Sequence, residues 1–280
     1  MQNYNERTQS SVTVEGTEVT YYTQGKPTKR APMVMVHGTA GNTDAHFGYL
    51  FPILATRQQV VSIDLADPGT STLTIDQFVA QVSAVIEAVS PDAPVSLMGY
   101  SLGAVIAAAT AAKLQNKVAN LVLIAGWMET DTHQAMRNRV WQSLRDANSP
   151  ALTEYMTFCA FSPAFQTVRS LDEMVAAAGM LNLTPFVDKQ MALNTAIDIK
   201  DDMINITAET LVVGCTSDMM VHRRHSKALF GAITNARYGE IASGHAVVHE
   251  RPAELFAYID GFIKAPNFHP AGTIIPAEKP

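Results

Sequence analysis

Apolar and polar positions along the chain follow two alternating rhythms. Short apolar runs bounded by turn residues recur at Val34-Met35-Val36, at 94–98, at Leu121-Val122-Leu123-Ile124-Ala125 and at Thr210-Leu211-Val212-Val213-Gly214. Runs this short and β-prone predict strands buried on both faces, as in a parallel sheet. Between them the period changes to 3.6. Residues 74–89 place Phe78, Val82, Val85, Ile86 and Val89 on one face, and residues 252–264 do the same with Leu255, Phe256, Ile259, Phe262 and Ile263, which predicts two amphipathic helices. Residues 102–109 are apolar all round until Thr110 and Lys113, which predicts a helix buried on nearly every side. Near the start, residues 11–16 and 18–22 alternate with period two, like a hairpin of half-exposed strands. Repeated strand–helix alternation predicts an α/β fold: a mostly parallel central β-sheet with helices on both faces. The crevice at the carboxyl ends of such strands is where ligands bind.

Residues 128–207 break this rhythm. They hold Trp141, Tyr155, Phe158, Phe161, Phe165, Phe186 and several methionines, with little strand signal. They read as a helical cap inserted into a core made of residues 1–127 and 208–265. A packing layer is the plain reading; a lid that forms an apolar pocket and excludes water is the functional one. Methionine adapts its shape, so a small to medium, mainly apolar substrate is expected. Residues 266–280 hold four prolines and one glycine without periodicity and are expected to be a flexible tail.

Composition narrows the classes. The chain has 280 residues, 47% hydrophobic and 16% charged, which is enough for one large core with an insertion. A net charge of −6 argues against nucleic acid or an anionic membrane as partner, since both attract basic patches. No apolar run reaches the length of a membrane span, and the polar start at residues 1–7 lacks a signal core. The expected location is cytoplasmic. Two cysteines, Cys159 and Cys215, suit buried thiols in a reducing compartment and form no disulfide framework. His222 and His225 flank Arg223 and Arg224 and read as a solvated helix face; without a cysteine or carboxylate partner they make no metal set. No cofactor is implied.

The candidate chemistry begins at Gly99-Tyr100-Ser101-Leu102-Gly103. An apolar run precedes it and a buried helix follows, so it reads as a strand, a sharp turn and a helix that lift one serine hydroxyl out of the fold. Downstream, Asp218 follows the run at 210–214, and Ser243-Gly244-His245 follows a further run at 237–241. Four separated segments then coincide: Val34-Met35-Val36-His37-Gly38, Asp64 with Pro68-Gly69-Thr70-Ser71, the pentapeptide around Ser101, and Gly244-His245 with His249-Glu250-Arg251-Pro252. Together, over residues 12–265, they resemble the α/β-hydrolase superfamily, whose order Ser, Asp, His they share.

That resemblance implies a serine enzyme. Ser101 would be the nucleophile, His245 its general base and then acid, and Asp218 the group that orients the imidazole. The backbone N–H groups of Leu102 and Thr39 would form the oxyanion hole. Glu129 and Asp131 are rival acids, because some hydrolases place the acid after the preceding strand. His37 and His249 are expected to be structural. Two departures from the family pattern stand out. Gly103-Ala104 replaces a common Gly-Gly, which predicts slightly looser helix packing, and the loop after Asp64 lacks the usual Gly-x-Gly and basic residue. The implied activity is hydrolysis of a carboxylic ester or thioester of a small molecule through an acyl-Ser101 intermediate. Acyl transfer or cyclisation, or a non-catalytic small-molecule receptor, are the alternatives, and a homo-oligomer stays open. Ser101 at the elbow, where dehalogenases and epoxide hydrolases carry Asp, argues against those two branches.

Overall fold

The computed structural model describes residues 6–276; the expectations for residues 1–5 and for the last four residues of the tail lie outside them. Among the described residues eight strands form one sheet: β1 (Thr8–Val14), β2 (Thr17–Gln24), β3 (Met33–Val36), β4 (Val60–Asp64), β5 (Val95–Tyr100), β6 (Val118–Ile124), β7 (Glu209–Cys215) and β8 (Ala236–Ile241). Their order across the sheet is β1-β2-β4-β3-β5-β6-β7-β8. The first two are the expected hairpin, antiparallel to each other, and β2 is antiparallel to β4. Every later pairing is parallel.

The parallel strands are buried on both faces, which is why their sequences are unbroken apolar runs rather than alternations. The two-residue period still sorts their side chains. Val34, Val36, Leu97, Leu121, Leu123 and Val212 point into one core. Met33, Met35, Met98, Val122, Ile124 and Leu211 point into the other. The helices that cover these faces are α1 (Thr43–Phe47), α2 (Leu50–Ala55), α3 (Ile75–Val89) and α4 (Leu102–Leu114), with three more after the inserted layer. The inserted helices are α5 (Thr132–Asp146), α6 (Ala151–Ala160), α7 (Pro163–Thr167), α8 (Leu171–Gly179) and α9 (Pro185–Leu193). Then come α10 (Arg224–Ala232), α11 (Val247–Glu250) and α12 (Pro252–Lys264). The first core takes buried residues from α3 and α4, and the second takes them from α1, α2, α11 and α12.

The inserted layer is helical because its breaks are capped. Asp131 and Ser170 close capping boxes with Gln134 and Glu173, Ser162 caps α7, and Thr184 caps α9 ahead of Pro185. Trp141, Leu152, Met156, Val187 and Met191 give it a small core of its own. Arg145 of α5 reaches both carboxylate oxygens of Asp188 on α9, at 2.9 and 3.0 Å. The end of the 128–207 segment belongs elsewhere: Ile197, Ile199, Met203 and Ile206 join the main core beside α4. Among the described residues no helix is long and apolar enough to cross a membrane.

Two expectations need correction. Through residue 275 the tail is held rather than free. Gly272 N–H donates to Ala236 O at 2.8 Å, Tyr238 N–H to Thr273 O at 3.0 Å and Ile275 N–H to Tyr238 O at 2.7 Å. β8 is an edge strand whose outward polar groups need partners, and the tail supplies them. The stretch is too short to show a period in sequence. The Gly103-Ala104 departure does not loosen α4 either. Ala104 is fully buried, and its methyl faces Gly126, where an added Cβ would stand 2.7 Å from the Cβ of Ala104.

Close packing of α4 on β3 and β5 gives a stability prediction. A Cβ on Gly103 would lie 2.1 Å from Val36 O, a backbone atom that cannot rotate away. Gly103→Ala should therefore lower the unfolding free energy by about 3 kcal/mol. Gly261→Ala, within α12 where a Cβ meets nothing within 4 Å, should raise it by about 0.5–1 kcal/mol. Urea denaturation of both variants checks the contrast; equal and small effects would refute the packing argument.

Candidate active site

Ser101 joins β5 to α4 with φ 57° and ψ −124°, a left-handed conformation that non-glycine residues rarely adopt. The approach of strand and helix leaves no other path. A Cβ on Gly99 would stand 2.1 Å from Gly103 O, and one on Gly38 would stand 2.8 Å from the Cβ of Ser101. The strained backbone is held by Ser101 N–H donating to Ile124 O at 2.9 Å and by Ala104 N–H donating to Ser101 O at 2.9 Å. Strain of this kind costs roughly 1–3 kcal/mol and persists only where the surroundings enforce it.

Asp218 and His245 meet this serine from the loops after β7 and β8. Ser101 Oγ lies 2.8 Å from His245 Nε2, and His245 Nδ1 lies 2.7 Å from Asp218 Oδ2. A carboxylate only accepts, so the imidazole proton sits on Nδ1 and Nε2 is left to accept from the serine hydroxyl. Asp218 Oδ1 accepts from the N–H groups of Met220 and Val221, both at 2.8 Å, which fixes the carboxylate. All three side chains are buried, with the serine 9% exposed.

The loop carrying His245 is clamped from two sides. Glu250 Oε1 accepts from Gly244 N–H at 3.0 Å and from Ser162 N–H at 2.7 Å, while Ser162 Oγ–H donates to Oε2 at 2.6 Å. Tyr100 O–H donates to His245 O at 2.9 Å. Neither Glu250 nor Tyr100 was legible as a support, because Tyr100 meets a loop far along the chain and Glu250 ties its neighbour Gly244 to the distant Ser162. Thr39 and Leu102 flank the serine. Leu102 opens α4, Thr39 lines the same cavity as Ser101, and among the described residues no acceptor is paired with either N–H. Asn194 Nδ2–H donates to Thr39 Oγ1 at 2.9 Å, and Ala40 N–H to Gln190 Oε1 at 3.0 Å, so α9 and its end hold this loop.

The rival acids are engaged elsewhere. Glu129 pairs with Lys200 at 2.7 Å. Asp131 caps α5, pairs with Arg224, and sits 2.9 Å from His225 Nε2. Burial would raise the Asp131 pKa, but bonds from Arg224 and Gln134 N–H and the nearby charges bring it down to about 2. His225 is therefore no solvated residue: it is buried against Asp131, whereas His222 is exposed. Burial raises the pKa of both Cys159 and Cys215, which keeps these thiols protonated.

The cavity over Ser101 has a volume of about 590 Å³ and is roofed by the inserted helices. Met156, Met174, Met191, Phe161 and Phe165 supply apolar wall, and Arg137, Asn138 and Asn194 bring polar groups that sequence patterns did not single out. Three more histidines pack beneath. His37 Nε2 accepts from Leu65 N–H at 3.0 Å, and His46 Nδ1 from Gly38 N–H at 3.1 Å. Burial lowers the pKa of His37, His46 and His249 below the ordinary 6.5, and neighbouring histidines lower His46 further.

Burial also lowers His222 and His225, and these five histidines together set the acid limit. Each stays neutral when folded and takes up a proton near pH 6.5 when unfolded. The unfolded state therefore binds more protons below that pH, and stability falls as pH drops from about 6.5 toward the lowered folded values. The carboxylates with lowered pKa, Asp67, Asp131, Asp198, Glu173 and Glu240, lose their contribution only as pH falls below their ordinary 3.8 for Asp and 4.5 for Glu. Thermal unfolding should show a flat midpoint above about pH 7 and a decline from about pH 6.5 to 5. The decline should be shallower in His46→Asn, which keeps an acceptor near Nδ1. An unchanged slope in that variant would remove His46 from the account.

Known proteins share this architecture. A family model described as alpha/beta hydrolase fold matches residues 31–252. A pyrrolizixenacetamide deacetylase from Xenorhabdus hominickii is 28% identical over 268 residues, covering 91% of this chain and 97% of that protein. An alpha/beta hydrolase from a Medee basin deep-sea metagenome library superposes with a TM-score of 0.79 at 20% identity, over 91% of this chain and 97% of the other. A thermophilic esterase from Thermogutta terrifontis does so with a TM-score of 0.76 at 18% identity, over 93% and 99%. At such identities the structures speak for the fold. The extent of the family match, with the sheet order and the Ser101 turn, places the chain: it belongs to the α/β-hydrolase fold family and is a hydrolase enzyme.

Proposed function

We propose that this hydrolase cleaves a carboxylic ester or thioester of a small to medium, mainly apolar molecule through an acyl-Ser101 intermediate. The observation that carries this reading is the unbroken chain Ser101 Oγ–His245 Nε2 and His245 Nδ1–Asp218 Oδ2, opening into a mainly apolar cavity.

In this mechanism Ser101 Oγ attacks the acyl carbon while its proton passes to His245 Nε2. The carbonyl oxygen takes up the negative charge, facing the N–H groups of Leu102 and Thr39. Asp218 stabilises the imidazolium and keeps its proton on Nδ1. Collapse breaks the bond to the leaving group, which departs with the proton from Nε2. Water then attacks the acyl carbon, gives its proton to His245, and the acid leaves as Ser101 recovers its hydrogen. The cytoplasm is the proposed location, supported by the two buried, unpaired thiols.

A second reading replaces the ester with an N-acetyl amide. It is favoured by the deacetylase relative and by Asn194 Oδ1, a buried acceptor without a donor in the wall of the cavity. An amide substrate carries an N–H that an ester lacks.

Intact-mass analysis after exposure to a serine-directed fluorophosphonate tests the mechanism. One adduct is expected on the wild type and none on Ser101→Ala; a folded wild type that takes no adduct would sink it. Turnover of any active ester should fall by about 10⁴–10⁶ in Ser101→Ala and by about 10⁴ in Asp218→Asn, where the wrong tautomer is favoured. Matched acetate esters and acetamides of one aryl alcohol and amine decide between the readings. Preferential amide turnover that Asn194→Leu selectively weakens would favour the second.

A further inference from the structure

One charge in the cavity wall has no role in this chemistry. Arg137 projects from α5 into the wall of the same cavity as Ser101. Its Nη2–H donates to Asn138 Oδ1 at 2.7 Å. Its Nε is shielded from solvent and has no acceptor. None of the ion pairs among the described residues involves it. Asn138 is buried and spends its oxygen on Arg137, which leaves its own Nδ2–H, also shielded, without an acceptor. A cationic fork and an adjacent carboxamide thus share one wall with two shielded donors, Arg137 Nε and Asn138 Nδ2, that no protein acceptor receives.

The other charged groups around the cavity are committed. Asp218 gives both oxygens to His245 and the loop N–H groups. Glu173 is bound to its own cap, Ser170, through N–H and hydroxyl. Arg169 lies 3.2 Å over the ring of Phe165 and donates to its carbonyl. Burial lowers the pKa of Arg137, which expresses the same unmet need: a desolvated guanidinium is costly until an anion joins it. The fork geometry of arginine matches the two oxygens of a carboxylate.

We propose that Arg137 and Asn138 form a carboxylate-binding subsite, so that the substrate is an apolar acyl compound carrying one carboxylate besides the bond that is cut. The substrate half of this proposal rests on the acyl-hydrolase reading; the binding half does not. The ligand is amphipathic: its body meets the methionine and phenylalanine wall, and its anion meets α5.

Two matched pairs test it: mono-4-nitrophenyl glutarate against its methyl ester, with the charge on the acyl side, and 4-acetoxybenzoate against its methyl ester, with the charge on the leaving group. The wild type should prefer the anion in at least one pair by about 10- to 100-fold in kcat/KM. Arg137→Met should bring that ratio close to one, and Arg137→Lys should restore part of it. No anion preference in either wild-type pair, or a preference that survives Arg137→Met, overturns the subsite. If none of the four compounds is turned over, calorimetry on Ser101→Ala with 4-acetoxybenzoate and its methyl ester still decides. Tighter binding of the anion that Arg137→Met abolishes supports the subsite even where the acyl-ester reading fails, and equal or absent binding of both refutes it.

Discussion

The molecule is organised around how closely α4 approaches β3 and β5. At that junction three glycines, Gly38, Gly99 and Gly103, meet backbone or the Ser101 side chain at distances no Cβ allows. Their convergence forces Ser101 into a left-handed turn and presents its hydroxyl at the carboxyl edge of the sheet. The strain at one residue is sustained by the burial of α4, whose helix is apolar on almost every side. Reactive geometry is therefore a by-product of core packing: the same close contact that fills the first core lifts the serine out of it.

The partners of that serine come from loops that parallel topology gathers at one end. Asp218 and His245 follow β7 and β8, two and three strands away from β5 in the sheet. Their meeting relies on polar groups that do no chemistry in the proposed mechanism. Glu250 binds the histidine loop to Ser162 of the inserted layer, and Tyr100 holds the carbonyl of His245. The roof is in this way joined to the base, so a shift of α6 and α7 is felt at the imidazole. Below, neutral buried histidines satisfy loop N–H groups at the cost of tolerance to acid.

The cavity joins two environments. Methionine and phenylalanine side chains exclude water and accept varied apolar shapes, which also raises the electrostatic stakes for any polar group left among them. Asn194 and Arg137 with Asn138 are such groups. Their unpaired atoms describe a ligand by its complement: an acceptor near the loop of Thr39, and a set of donors on α5.

What the sequence by itself determined was local. Apolar runs marked the buried strands, the 3.6-residue period marked α3 and α12, and glycine spacing marked the turn at Ser101, because each depends on neighbours within a few residues. The candidate residues Ser101, Asp218 and His245 were legible from position after strand ends, and their order matched the family. The tertiary structure decided what depends on distant partners. It separated Asp218 from Asp131 and Glu129, since only the fold shows which carboxylate reaches His245 and which ones meet Arg224 and Lys200. It buried His225, whose helix read as a solvated face, and pinned a tail that read as free, because an edge strand needed its hydrogen bonds. It also showed Arg137 as an unpaired charge, for in sequence an arginine on a helix looks the same whether a carboxylate or an empty cavity lies opposite.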